Sequence, residues 1–268
     1  MHIHFLDPYQ ARRSAIHELD PRVKFVLAVA LIFTTALTPI GAWPAYILLF
    51  ALAISVAVLS ELGVGFVLRR AVLALPFVLA ALPVIFTVKG AALFSLPIGP
   101  WTLTVTIPGL ERFMSIALKS WISVQVAIVL AASTTFPDLL VAMRAVRVPR
   151  LLVAIFGLMW RYLFVFADEA LRLIRARTAR SGEADQPGLK TGGSVFWRAR
   201  VAGGMAGNLF LRAFERSDRI YMAMLARGYD GEVRTAPLPR LRPADWMVLI
   251  GALAIFVSLL VFALIFWG

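Results

Sequence analysis

Leu209–Gly231 reads LFLRAFERSDRIYMAMLARGYDG. At about 3.6 residues per turn, Phe210, Phe214, Tyr221, Met224 and Leu225 fall on or near one side. Arg212, Glu215, Arg216 and Arg219 crowd the flank. Gly228 follows the last apolar residue and can take the left-handed conformation that ends a helix. The spacing predicts a long amphipathic helix with Arg227 held at its tip by a defined stop. In a chain otherwise suited to lipid, a charge so placed reads as a docking point for another protein.

Composition supplies the lipid half of that statement. Of 268 residues, 60% are hydrophobic, and the mean hydropathy is +0.83. A water-soluble domain of this balance would expose large apolar patches, so the bilayer is its natural solvent. The expected fold is all-α: a polytopic membrane protein with about five transmembrane helices and a cytoplasmic set of long amphipathic helices. No cysteine is present, which rules out disulfides and thiolate metal sites. The net charge is +12, much of it between Arg144 and Arg242. In a membrane protein such a block marks cytoplasmic loops. No recognised nucleic-acid motif accompanies it, so no nucleic-acid partner is expected. Residues 1–24 are polar and lack the pattern of a cleavable signal.

The chain divides into four expected regions. Residues 1–22 form a cytoplasmic N-terminal arm. Residues 23–134 form a four-span region, with spans near 23–37, 45–59, 71–88 and 112–132. Asp20-Pro21 starts the first span, the Asp as cap and the Pro at the first helical position. Pro76 and Pro83 should kink the third. Residues 89–111 alternate turn residues and short apolar runs, and Trp101–Thr106 suits a β-hairpin arm or a half-buried loop. Residues 135–242 form the cytoplasmic region. Thr135-Phe136-Pro137-Asp138 opens a helix over about 137–147, and a long helix covers 151–180. Its apolar half, 151–166, is shorter than the ~20 residues of a full crossing and is expected to lie at the cytoplasmic leaflet. Residues 181–194 read as a loop, and a helix follows over 195–228. Gly203, Gly204 and Gly207 there would permit close approach of another helix. Pro237, Pro239 and Pro243 form a stiff connector. Residues 243–268 hold the C-terminal transmembrane helix, with Asp245 as its expected cap.

Two helix ends match each other: Ala179-Arg180-Ser181-Gly182 and Ala226-Arg227-Gly228. An Arg at a helix C-terminus offsets the dipole by a few tenths of a kcal/mol (roughly). Two matched ends on long helices suggest more: a receptor with acidic grooves, which a guanidinium meets with fork-shaped hydrogen bonds. These ends resemble the paired Ala-Arg-Gly signatures of the transmembrane T component (EcfT) of energy-coupling factor (ECF) transporters. Leu19-Asp20-Pro21-Arg22-Val23-Lys24 is similar to that family's N-terminal signature. Phe214 to Arg219, with Ala226 to Gly231, is most similar to the CbiQ-type cobalt and nickel branch. Ser181 departs from the pattern, where Gly is usual.

The resemblance implies a bacterial inner-membrane, multi-pass subunit in a four-part machine. Two ATP-binding cassette subunits would each accept one helix end, through Ala179, Arg180 and Ser181 and through Ala226, Arg227 and Gly228. ATP and Mg would be bound by those partners, with no cofactor in this chain. A substrate-binding membrane subunit (CbiM-like, with or without a small CbiN-like subunit) would lean on Leu140, Met143, Met159, Met205, Phe214, Tyr221 and Met224. With Met222, these methionines suit a sliding contact or ordinary packing. The implied cargo is cobalt, with nickel the alternative.

Other chemistries find less footing. His2, His4 and His17 lack the convergent partners a cobalt site requires, so no metal site is expected here. No His-Glu-x-x-His, Gly-x-Ser-x-Gly or Walker lysine loop occurs. The competing reading is an intramembrane enzyme or self-contained carrier using Arg161, Asp168 and Glu169. Pairing of Arg161 or Arg172 with an acid one turn away is the simpler account of those charges.

Overall fold

The computed structural model describes residues 8–98, 101–180, 194–230 and 240–268. After a single turn, α1 (Ala15–Glu18), the chain enters α2 (Pro21–Leu37) as the sequence predicts. Asp20 is the N-cap, its side chain accepting from the Arg22 N–H, and Pro21 opens the helix. Thr34 and Thr35 in this apolar helix, and Thr38 at its C-cap, satisfy their hydroxyls by donating one turn back, to the Ala30, Leu31 and Thr34 carbonyls. The second span, α3, covers Trp43–Leu59.

The third span differs from expectation. It begins at Val64, not near residue 71, and the prolines divide it instead of merely kinking it. It runs as α4 (Val64–Arg70), a 3-10 turn (Ala71–Ala74), α5 (Leu75–Ala80) and α6 (Val84–Thr87). Pro76 lies in the first turn of α5 and Pro83 caps α6, positions where a missing N–H costs nothing. The following segment resolves as a hairpin, β1 (Ala92–Ile98) antiparallel to β2 (Trp101–Thr106), with a register shift between Ala92 and Phe94. Thr106 then caps α7 (Ile107–Ser133), which starts five residues before the expected 112.

Helix α7 is the hub of the bundle. It touches α2, α3, α4, α5 and α6. Leu31, Leu49, Ala53, Ile122, Val126 and Phe256 bury one core among α2, α3, α7 and the last helix, α11 (Pro243–Trp267). Ala57, Leu62, Val67, Val129 and Ala132 bury a second. Outward-facing residues of α11 such as Ile250, Val257 and Ile265 are apolar and exposed, the inside-out surface of a lipid-solvated bundle. Asp245 is not the cap of α11: that position is Arg242, whose N–H donates to the Asp245 carboxylate.

The remaining helices are α8 (Phe136–Ala145), α9 (Arg150–Arg180) and α10 (Val195–Ala226). The described residues divide into two units, one within 8–146 and 240–268 and the other within 147–180 and 194–230. By contacts α8 belongs with the spanning unit, because it packs on α2 and buries Ala142. Among the described residues, four helical stretches are long and apolar enough to cross a membrane: Val64–Thr87, α7, α9 and α11. Helix α9 is among them by length and composition alone, and its apolar run, which contains Arg161, meets Asp168 and Glu169 just beyond Ala167.

The N-terminal arm is tied to the end of α7. The Gln10 N–H donates to the Ala132 carbonyl at 2.9 Å. His17 bonds the Ser14 hydroxyl at 2.7 Å and the Gln10 carbonyl at 3.1 Å. Burial pushes the His17 imidazole below its ordinary value of 6.5, with Lys24 and Arg12 adding to the shift and the Gln10 carbonyl and Glu61 opposing it. The unfolded arm then binds a proton more readily than the folded one. The histidine's contribution is complete above about pH 6.5 and is lost as pH falls through the lowered folded value. Amide exchange at Gln10, corrected for intrinsic rates, should quicken between pH 7.5 and 5, and His17→Gln should remove the dependence. A second outcome concerns Gly109, where an added Cβ would lie 2.5 Å from the Ile85 carbonyl and 2.7 Å from the Thr106 hydroxyl. Gly109→Ala should lower thermal stability by about 1–3 kcal/mol, while Gly65→Ala, with nothing within 4 Å, should not lower it.

Candidate functional site: a pair of arginine-tipped helices

Helices α9 and α10 are both strongly amphipathic, and neither buries a residue fully. Arginine contacts join them. The Arg212 guanidinium donates to the Glu169 carboxylate. The Arg216 guanidinium lies 6.0 Å from the centre of the Phe166 ring, and that of Arg177 5.9 Å from the Trp197 ring. As the α9 member rises from 166 to 177, the α10 member falls from 216 to 197, so the helices run antiparallel where they touch.

That register separates the two C-termini. Arg227 lies about 22 Å beyond Arg212 along α10, and Arg180 about 16 Å beyond Glu169 along α9, in opposite directions. The two tips are therefore roughly 40 Å apart along the pair.

The two ends differ in what can be described. At α10, Arg227 is the C-cap, and Gly228 follows with φ +79°. The Tyr229 N–H donates to the Met224 carbonyl at 3.0 Å and the Gly228 N–H to the Leu225 carbonyl at 2.9 Å. This double closure is the Schellman stop, and it needs the left-handed residue that glycine supplies. Ala226, Arg227 and Gly228 are exposed. At α9, Ala179 and Arg180 are exposed in the last turn, and Ser181 lies outside the described residues.

The expected substrate-subunit contacts divide by face. Met159, Phe214 and Tyr221 are 53%, 60% and 54% exposed, available to a partner. Met205 and Met224 fall on the half-buried stripe of α10 that also holds Leu209, Ala213, Arg216 and Ile220. Because Arg216 on that stripe meets α9, the plain reading of these two methionines is packing within the pair. Leu140 and Met143 are half-buried on α8, in the other unit. Gly203, Gly204 and Gly207 do not mark a close helix approach within this chain: a Cβ at each would meet nothing within 4 Å.

Among the described residues no ion pair links Arg161, Asp168 and Glu169 to one another. Glu169 is engaged across the pair by Arg212, not by an arginine one turn away on its own helix. Arg161 lies 5.9 Å from the ring of its neighbour Tyr162. The Glu169–Arg212 pairing was not foreseen, since sequence spacing reports partners only within one helix. His2 and His4 lie outside the described residues, and His17 serves the N-terminal arm. The connector prolines Pro237 and Pro239, and most of the 181–194 loop, also lie outside them.

The fold and these sites define an all-α polytopic membrane protein that carries a paired-helix device. The CbiQ family, described as cobalt transport protein, matches residues 12–237. The chain belongs to that family. It is 26% identical over 258 residues to an energy-coupling factor transporter transmembrane protein EcfT of Ruminiclostridium cellulolyticum, covering 92% of this chain and 91% of the relative. It is 29% identical over 201 residues to the cobalt transport protein CbiQ of Rhodobacter capsulatus, covering 75% and 76%. A second EcfT, from Thermosediminibacter oceani, is 29% identical over 248 residues and 87% of each chain.

If the Schellman stop aims Arg227, then Gly228→Ala should strain the α10 terminus by about 1–2 kcal/mol through backbone conformation alone. Amide exchange at Gly228 and Tyr229 should rise about tenfold. Gly228→Asn should do less harm, because Asn visits this conformation more readily. Equal protection in all three chains would show that the stop does not depend on the left-handed residue.

Proposed function

We propose that the chain is the non-catalytic transmembrane coupling subunit of an ATP-driven energy-coupling factor importer. The relatives' names support the transmembrane role, and the absent ATPase chemistry would reside in partners. The observation that carries the coupling role is the antiparallel pair, closed at opposite ends by Ala179-Arg180 and Ala226-Arg227-Gly228.

In this reading each tip seats in a groove of one ATP-binding cassette subunit. Arg180 and Arg227 make charge-assisted bonds to carboxylates there. ATP and Mg are held by that pair of subunits. Its closure moves two tips that are far apart, and the helices turn about the contact of Arg212 with Glu169. Exposed Met159, Phe214 and Tyr221 face a substrate-binding membrane subunit, which releases its cargo inward as the pair moves. The basic residues from Arg144 to Arg242 keep the tips on the cytoplasmic side of the bacterial inner membrane. The family description and the Rhodobacter relative's name favour cobalt ion as the cargo, ahead of nickel.

Charge reversal tests this directly. Arg227→Glu and Arg180→Glu should each weaken co-purification with the ATP-binding subunits, and the double variant should abolish cobalt uptake. Amounts of folded chain in the membrane should be unchanged, since both side chains are exposed. Normal stoichiometry and normal uptake in the double variant would remove both arginines from the mechanism.

A further inference from the structure

The spanning unit contains a cavity of about 220 Å³ that the coupling function does not use. It lies among α2, α3, α7 and α11. Leu27, Leu31, Leu52, Val126 and Phe256 contribute hydrocarbon walls, and Ile16 and Leu19 of the N-terminal arm close one end. Its charged lining group is Lys24, beside Ser133. Both residues belong to one end of the bundle, the first turn of α2 and the last of α7. From Lys24 to Leu31 the slot runs about 10 Å into the bundle.

Lys24 is 8% exposed. Its Nζ donates to the His17 carbonyl at 3.2 Å and the Ser133 carbonyl at 3.1 Å. An ammonium carries three donors, so one remains. Among the described residues no carboxylate forms an ion pair with it. Asp138 and Asp20 offset part of its charge without touching it. A buried charge so incompletely paired is costly, and so is an unfilled apolar cavity. One kind of ligand relieves both: an anionic head joined to a hydrocarbon tail. The cavity's polar end lies where the helices begin, at headgroup depth, and its apolar end lies at acyl depth.

We propose that this cavity holds the upper part of one acyl chain of an anionic phospholipid, with its phosphate group held by Lys24. The N-terminal arm then folds over the bound chain, through Ile16 and Leu19. The lipid is a structural ligand of the spanning unit, separate from any cargo.

The test uses the full-length chain, purified and delipidated in mild detergent. Thermal unfolding is followed against added phosphatidylglycerol, phosphatidylcholine or inorganic phosphate. The wild-type chain should respond to phosphatidylglycerol at concentrations roughly tenfold lower than to phosphatidylcholine, the factor that one charge-assisted hydrogen bond supplies. Lys24→Gln should bring the two lipids to equal effect. Ala28→Leu and Ala53→Leu, which fill the cavity, should remove the response and cut retained lipid per chain several-fold, while Arg69→Gln should leave both unchanged. If Lys24→Gln does not fold, the filling variants decide. An undiminished phosphatidylglycerol response in both filling variants, or an equal response to inorganic phosphate alone, would overturn the proposal.

Discussion

The contact of Arg212 with Glu169 sets the register of α9 against α10, and the functional reading follows from that register. Slide either helix by a turn and Arg216 leaves Phe166, while Arg177 leaves Trp197. Each contact alone is weak. The Arg212 side chain is 57% exposed, so solvent screens the pair, and such bridges contribute at most about 1 kcal/mol. Their value is positional. A joint without a fully buried core can pivot, whereas a jigsaw core would lock it. The pair suits a lever better than it suits a scaffold.

The spanning unit has the opposite character. Around α7 the packing is dense, with Ile122, Ala132 and Val67 fully buried. Polar groups there are satisfied by the nearest backbone, as with the three threonines of α2, or used as ties, as with Lys24 and Gln10 at the end of α7. Gln125 and Thr134 are exceptions: the Gln125 amide atoms, in α7, and the Thr134 hydroxyl, just past its end, are buried without a partner among the described residues. The contrast between a firm bundle and a lightly joined pair is what a fixed membrane base with a moving output requires.

Much of this was legible in the sequence. Helices α2, α9, α10 and α11 begin and end within a residue or two of expectation, because caps, Pro and Gly report local geometry. The same holds for the stop at Gly228. What escaped depends on contacts distant in sequence. The third span was shortened and drawn unbroken because hydropathy alone does not say how Pro76 and Pro83 divide a run. Conversely, Gly203, Gly204 and Gly207 suggested a neighbour that this chain does not provide. Lys24 was visible one turn inside an apolar helix, but its place at the mouth of a cavity arises only when four helices meet.

The central claim is geometric: two arginine tips stand at opposite ends of an antiparallel pair. The absence of native cysteine makes it directly measurable. Spin labels on Ala179→Cys and Ala226→Cys leave both arginines in place. Electron–electron double resonance in bilayer nanodiscs should give a distance of roughly 40 Å. A main distance below about 20 Å would place the tips side by side, and the helices could not then act as the two arms of one lever.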